Sequence, residues 1–92
     1  MFKVQKDEYH TGFQITFENG WTVSVQFGRG NYCKNRSMKF VGQEPVYESP
    51  DAEVAAWDEN GVWYRFDEGD SVKGWCKPDE VADFIAKVKA FE

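Results

Sequence analysis

Between Gly12 and Gly28 apolar and polar residues alternate in two runs, Phe13, Ile15, Phe17 and then Trp21, Val23, Val25, with Asn19-Gly20 between them. A period of two marks strands with one buried face, and Asn-Gly is a favoured hairpin turn. Face-matching sets the register. A two-residue turn would put the two apolar triplets on opposite faces. A three-residue loop of Glu18, Asn19 and Gly20, a type I turn with Gly20 left-handed, pairs Phe17 with Trp21, Ile15 with Val23 and Phe13 with Val25. The large apolar side chains then share one face. Gln14, Thr16, Thr22, Ser24 and Gln26 line the other, which is expected to be wet.

A second Glu-Asn-Gly, Glu59 to Gly61, makes Glu53 to Asp67 another hairpin candidate. Here a two-residue turn segregates faces better, with Ala55, Trp57, Tyr64 and Phe66 on one side and Val54, Asp58, Trp63, Arg65 and Asp67 on the other. Trp63 is then a large apolar residue on a charged face, either covered by the proline-containing loop or exposed as a contact. Phe2 to Gln5, Met38 to Val41 and Ser71 to Trp75 read as short strands. Gly42 to Asp51, with Pro45 and Pro50, reads as a long connection.

Pro78 to Phe91 reads as a helix, with Pro78 at its first position, Asp79 and Glu80 in its first turn, and Lys77 as a poor N-cap. Val81, Phe84, Ile85, Val88 and Phe91 form one apolar stripe, and Asp83 with Lys87 an i, i+4 pair opposite it. Such a stripe suits the dry face of a sheet. The expected architecture is α+β, a single domain over residues 1–92, with an antiparallel sheet of about five strands, two hairpins among them, covered by one C-terminal helix.

An aromatic fraction of 17% means that rings build much of the core. No run approaches a membrane span and the charged start is unlike a signal peptide, so a cytoplasmic protein with Cys33 and Cys76 as free thiols is expected. The net charge of −5 conceals a bipolar chain. Between residues 19 and 43 the only charges are Arg29, Lys34, Arg36 and Lys39, whereas residues 44–70 hold nine acids against Arg65 alone.

The inventory for catalysis is thin. His10 is the only histidine, and Cys33 has Lys34 and Arg36 nearby to lower its pKa. Spacings for zinc, calcium and nucleotide-loop motifs are missing, so no metal, cofactor or enzymatic activity is expected. Binding chemistry is better represented. Arg29, Tyr32, Lys34, Arg36 and Lys39 set four positive charges around an aromatic ring, the composition of a phosphate or single-strand contact, although the same loop could lie against the acids that follow it. Asp58, Glu59, Trp63, Asp67, Glu68 and Asp70 form an acidic surface with a tryptophan, suited to a basic groove on a partner.

The phrases FENGWTVSVQFGRGNYCKNR, AEVAAWDENGVWYRF and VKGWCKPDEVADFIAKV resemble small proteins encoded by tailed phages and prophages, across most of the chain. The resemblance implies the cytoplasm of an infected bacterium and a non-enzymatic protein that inhibits or modulates a host protein or defence complex by docking on it. Nucleic-acid contact through the loop from Arg29 to Lys39 is the alternative expectation.

Overall fold

The computed structural model describes residues 1–7, 9–37 and 48–92. Strands β1 (Phe2–Lys6), β2 (Thr11–Thr16), β3 (Thr22–Gln26), β4 (Ala52–Trp57) and β5 (Lys73–Cys76) form one antiparallel sheet in chain order, and α1 (Pro78–Lys89) follows. This is the expected α+β architecture. The expected strand from Met38 to Val41 lies outside the described residues, as does the connection as far as residue 47.

The central hairpin has the three-residue loop that face-matching demands. Phe13 pairs with Val25 and Ile15 with Val23, while the Phe17 N–H donates to the Trp21 carbonyl at 2.9 Å and Gly20 N–H to Phe17 at 3.0 Å. Gly20 has φ +89°, the left-handed conformation that excludes most side chains.

The second turn departs from the two-residue expectation. Asp58 N–H donates to Val62 at 2.9 Å, Gly61 N–H to Asp58 at 3.0 Å, and Gly61 has φ +80°, which repeats the first turn bond for bond. The extra loop residue shifts the register. Tyr64 now opposes Ala56, and Trp63 bridges to Trp57. Val54, Ala56, Tyr64 and Phe66 therefore go to the helix side, and Ala55, Trp57 and Trp63 to the other. After that single bridge the chain leaves the sheet and rejoins β4 only as β5, across an irregularity between Ala52 and Val54.

The helix lies across β3 and β4. Val23, Val25, Val54 and Ala56 meet Phe84 and Val88, with Tyr64, Phe66, Trp21 and Phe91 extending the core as a cluster of rings. Trp21 stands edge-on to Phe91 at 4.9 Å between centroids, and Phe66 lies 5.1 Å from Phe84. The cover stops short of β1. Phe2 and Val4 point to the helix side yet are 80% and 75% exposed, because the helix does not reach that edge.

Both helix ends are held by groups that compensate for weak local signals. Lys77 offers no side-chain cap, and Glu80 instead accepts the Lys77 N–H at 3.1 Å. At the other end Asn19 Nδ2, in the central hairpin turn, donates to the carbonyls of Val88 (2.9 Å), Lys89 (3.2 Å) and Phe91 (2.9 Å). Lys87 turns to the Tyr64 hydroxyl at 2.8 Å rather than to Asp83.

Candidate functional site

The side of the sheet away from the helix is not the wet face that its polar residues suggest. Thr22, Ser24 and Gln26 are all less than 9% exposed, because residues 28–36 fold over one end of this face and Trp57, Trp63 and Val72 close the other. Between them lies a cleft of about 410 Å³. Its depth comes from sequence. The register aligns Gln14, Ser24 and Ala55 in one row across β2, β3 and β4, and two of the three are small. Trp57 and Glu53 flank Ala55 along β4, so the two end walls stand roughly 13 Å apart at ~3.3 Å per strand residue.

The first wall is the loop after β3. What reads in sequence as glycine-hinged and flexible is wired internally. Asn31 and Asn35, 4% and 6% exposed, act as struts: Asn31 Oδ1 accepts Gly28 N–H at 2.9 Å, and Asn35 Nδ2 donates to the carbonyls of Phe27 (2.7 Å) and Glu48 (3.1 Å). Gly28 sits where a Cβ would come within 2.6 Å of Thr11 N and Tyr9 O, so its role is close approach to the β1–β2 connection. The acids that follow in sequence meet the backbone of this loop. Glu53 accepts the Tyr32 N–H at 2.6 Å and Asp51 the Lys34 N–H at 2.7 Å.

Of the residues expected to bind from the basic loop, Tyr32 and Arg36 line the cleft, with the guanidinium 4.3 Å from the ring centroid in a cation–π contact. Lys34 borders a neighbouring hollow with Cys33, Asp51 and Trp75, which Arg36 also lines. Arg29 is half-buried and does not line the cleft, and Lys39 lies outside the described residues. Trp75, next to Tyr32 at 5.8 Å, has φ +51°, a conformation rare for a bulky residue; its N–H donates to the Tyr32 carbonyl at 2.8 Å.

The opposite wall comes from the acidic segment. Trp63 packs on Trp57 with centroids 5.0 Å apart and rings 32° from parallel, and remains 45% exposed. This contact resolves its placement on a charged face, since the two tryptophans make one apolar platform there. Asp58 Oδ1 accepts the N–H groups of Asn60 and Val62 at 2.9 Å each, and Asp67 Oδ1 those of Gly69 (2.9 Å) and Asp70 (3.0 Å). Glu59, Glu68 and Asp70 stand exposed on these self-braced turns beside Val62, itself 61% exposed.

The two candidates for catalysis lie in different surroundings. Cys33 is 1% exposed, its Sγ lies 3.4 Å from the Gly28 carbonyl, and burial pushes the thiol up rather than down, outweighing the backbone N–H groups of Asn35 and Arg36 that favour the thiolate. His10 borders the cleft, with Nδ1 2.9 Å from Asp7. The backbone N–H of Tyr9, then the His10 side chain, hold the Asp7 carboxyl below its ordinary value. No described helix is long and apolar enough to cross a membrane.

Sequence reasoning found Tyr32, Arg36 and Trp63 but assigned them to two separate surfaces. It missed Trp57, Gln14, Ser24 and Ala55, for which strand register is the only available signal. No protein-family model, curated protein or solved structure matches this chain significantly.

Proposed function

We propose that this is a non-catalytic binding protein that docks the self-braced acidic turns of residues 58–70 on a basic surface of a partner protein, as an inhibitor or modulator. The observation that carries this reading is the exposure of Glu59, Glu68 and Asp70 on braced turns of the same segment that exposes Val62 and Trp63. The carboxylates of Asp58 and Asp67 fix the turns by accepting backbone N–H groups. Little conformational freedom is therefore left to lose on docking. Exposed acids supply steering, and an aromatic beside them supplies the apolar anchor on which interface energy concentrates. The resemblance to phage and prophage proteins supports a bacterial host protein or defence complex as the partner.

The test is affinity capture of the tagged protein from bacterial lysate with and without nuclease, beside a Glu68→Lys/Asp70→Lys variant and a Trp63→Ala variant. Both changes leave the bracing carboxylates in place. The expected result is one host complex retained after nuclease treatment and depleted at least roughly tenfold by either variant. Recovery that disappears with nuclease, or that both variants retain, overturns the reading.

A further inference from the structure

We infer that the cleft between Tyr32–Arg36 and Trp57–Trp63 binds a nucleotide unit, its base on the tryptophan platform and its phosphate at Arg36. This site shares Trp63 with the docking surface, while Arg36 and Ala55 belong to the cleft alone, so variants at those two positions test it separately. Three features carry it.

The cations of the cleft lie away from the tryptophan end. Arg36 stands at the far wall, where the Glu53 carboxylate is taken up by the Tyr32 N–H, and Lys3 projects from β1 beside Gln14 on this same face. The Trp57–Trp63 end adjoins the acidic turns. A phosphate is repelled from the acidic end, which sets the orientation of a ligand carrying a flat ring and an anion.

The groups also match in kind. Trp63 offers an exposed indole for stacking, backed by Trp57. Stacking on an aromatic side chain is a principal source of affinity for single bases. The floor between the walls is uncharged: Gln14 and Ser24 have the mixed donors and acceptors that base edges need. Glu53, held by the Tyr32 N–H, is positioned as an acceptor for ribose hydroxyls. Arg36 lies over the Tyr32 ring, a contact that positions the guanidinium beside the cleft, where it can donate to a phosphate.

Size is the third feature. About 410 Å³ lies within the range of small-ligand sites, and the row of Ser24 and Ala55 keeps that volume open. The same chemistry is presented by a free mononucleotide and by one unit of a single strand.

The experiment titrates the full chain with each of the four ribonucleoside 5′-monophosphates and, separately, with short single-stranded RNA homopolymers, following the indole N–H resonances of Trp57 and Trp63 by NMR. At least one probe is expected to shift both resonances to saturation, the mononucleotide arm and the strand arm distinguishing the two sources. Arg36→Ala, on the exposed side of the loop, and Ala55→Leu, which fills the floor, are each expected to weaken binding roughly tenfold or more. Thermal melts establish that each variant folds, and the Arg36 variant tests the site even if Ala55→Leu does not fold. Three results overturn the inference: no saturable shift at about 10 mM, well above a millimolar Kd; binding undiminished in Arg36→Ala; or shifts produced by neutral oligosaccharides and by no nucleotide.

Discussion

Replacing Asn19 tests whether the central hairpin holds the end of the helix. Its amide supplies two hydrogens to three carbonyls, those of Val88, Lys89 and Phe91, and its oxygen accepts the Trp21 N–H at 2.9 Å. Asn19→Ala removes about three hydrogen bonds, each with a net value of roughly 0.5–1.5 kcal/mol, and the partly exposed carbonyls recover some solvation. The expected loss is about 2 kcal/mol, or roughly 10 °C in Tm for a domain of this size.

Asn19→Asp sharpens the test. It keeps an acceptor for Trp21 but sets a carboxylate against carbonyls at the negative end of the helix dipole. At pH 7 it should be less stable than the alanine variant by about 1 kcal/mol. That contact favours the neutral acid, raising the folded-state pKa of the introduced carboxyl. The stability of the protonated form is therefore fully present below the unfolded carboxyl pKa of about 3.9 and is lost as pH rises through the folded value. Urea unfolding followed by tryptophan fluorescence at pH 7 and about pH 3 should show the two variants converge in acid. The reasoning fails if Asn19→Ala costs less than about 0.5 kcal/mol, the range of ordinary surface changes, or if Asn19→Asp matches the parent at pH 7.

Gly61→Ala should cost about 1 kcal/mol in urea unfolding from backbone conformation alone, since nothing lies within 4 Å of the added Cβ while φ is +80°. Val88→Ala, at a site with no exposure, should cost about 2–3 kcal/mol, whereas Phe2→Ser with Val4→Thr should change stability by no more than about 0.5 kcal/mol, both read from denaturation midpoints. Burial raises the thiol pKa of Cys33 and of Cys76, so alkylation at about pH 8 should be much slower in the native protein than in urea. The stability contributed by the neutral thiols is fully present below the unfolded value near ~8.5 and is lost as pH rises through the folded ones. The fall in urea midpoint above about pH 9 should therefore be shallower when both cysteines are alanine.

Sequence made the first hairpin legible because alternation and turn chemistry agreed, leaving one register that puts six large apolar residues on one face. The helix was legible because its stripe is continuous from Val81 to Phe91. Polarity misled at the second turn. Face segregation assumes one dry face, but Trp57 and Trp63 cover each other on the side away from the helix, so an apolar residue there does not mark the core. The polar row of Thr22, Ser24 and Gln26 misled for a related reason. What buries it is the loop after β3 folding back over this face together with Trp57, Trp63 and Val72 from later in the chain, and strand alternation carries no record of that. One signal was present and unread: the helix ends at Ala90 without a glycine beyond it, so its last carbonyls need a donor from elsewhere in the fold.

The acids at the start of β4 shape the basic loop through its backbone, Glu53 accepting the Tyr32 N–H and Asp51 the Lys34 N–H. Asp58 and Asp67 act likewise within their own turns, leaving Glu59, Glu68 and Asp70 exposed. Four acids thus set the shape of the two walls, and Arg36, lying over Tyr32, faces the tryptophan platform across a floor of small and neutral side chains. A cleft built this way has a direction as well as a volume. Reversing the charge of Glu53 or Asp51 would therefore unsettle the loop before it altered the field, whereas changing Arg36 or Glu68 would alter the field and leave the fold in place.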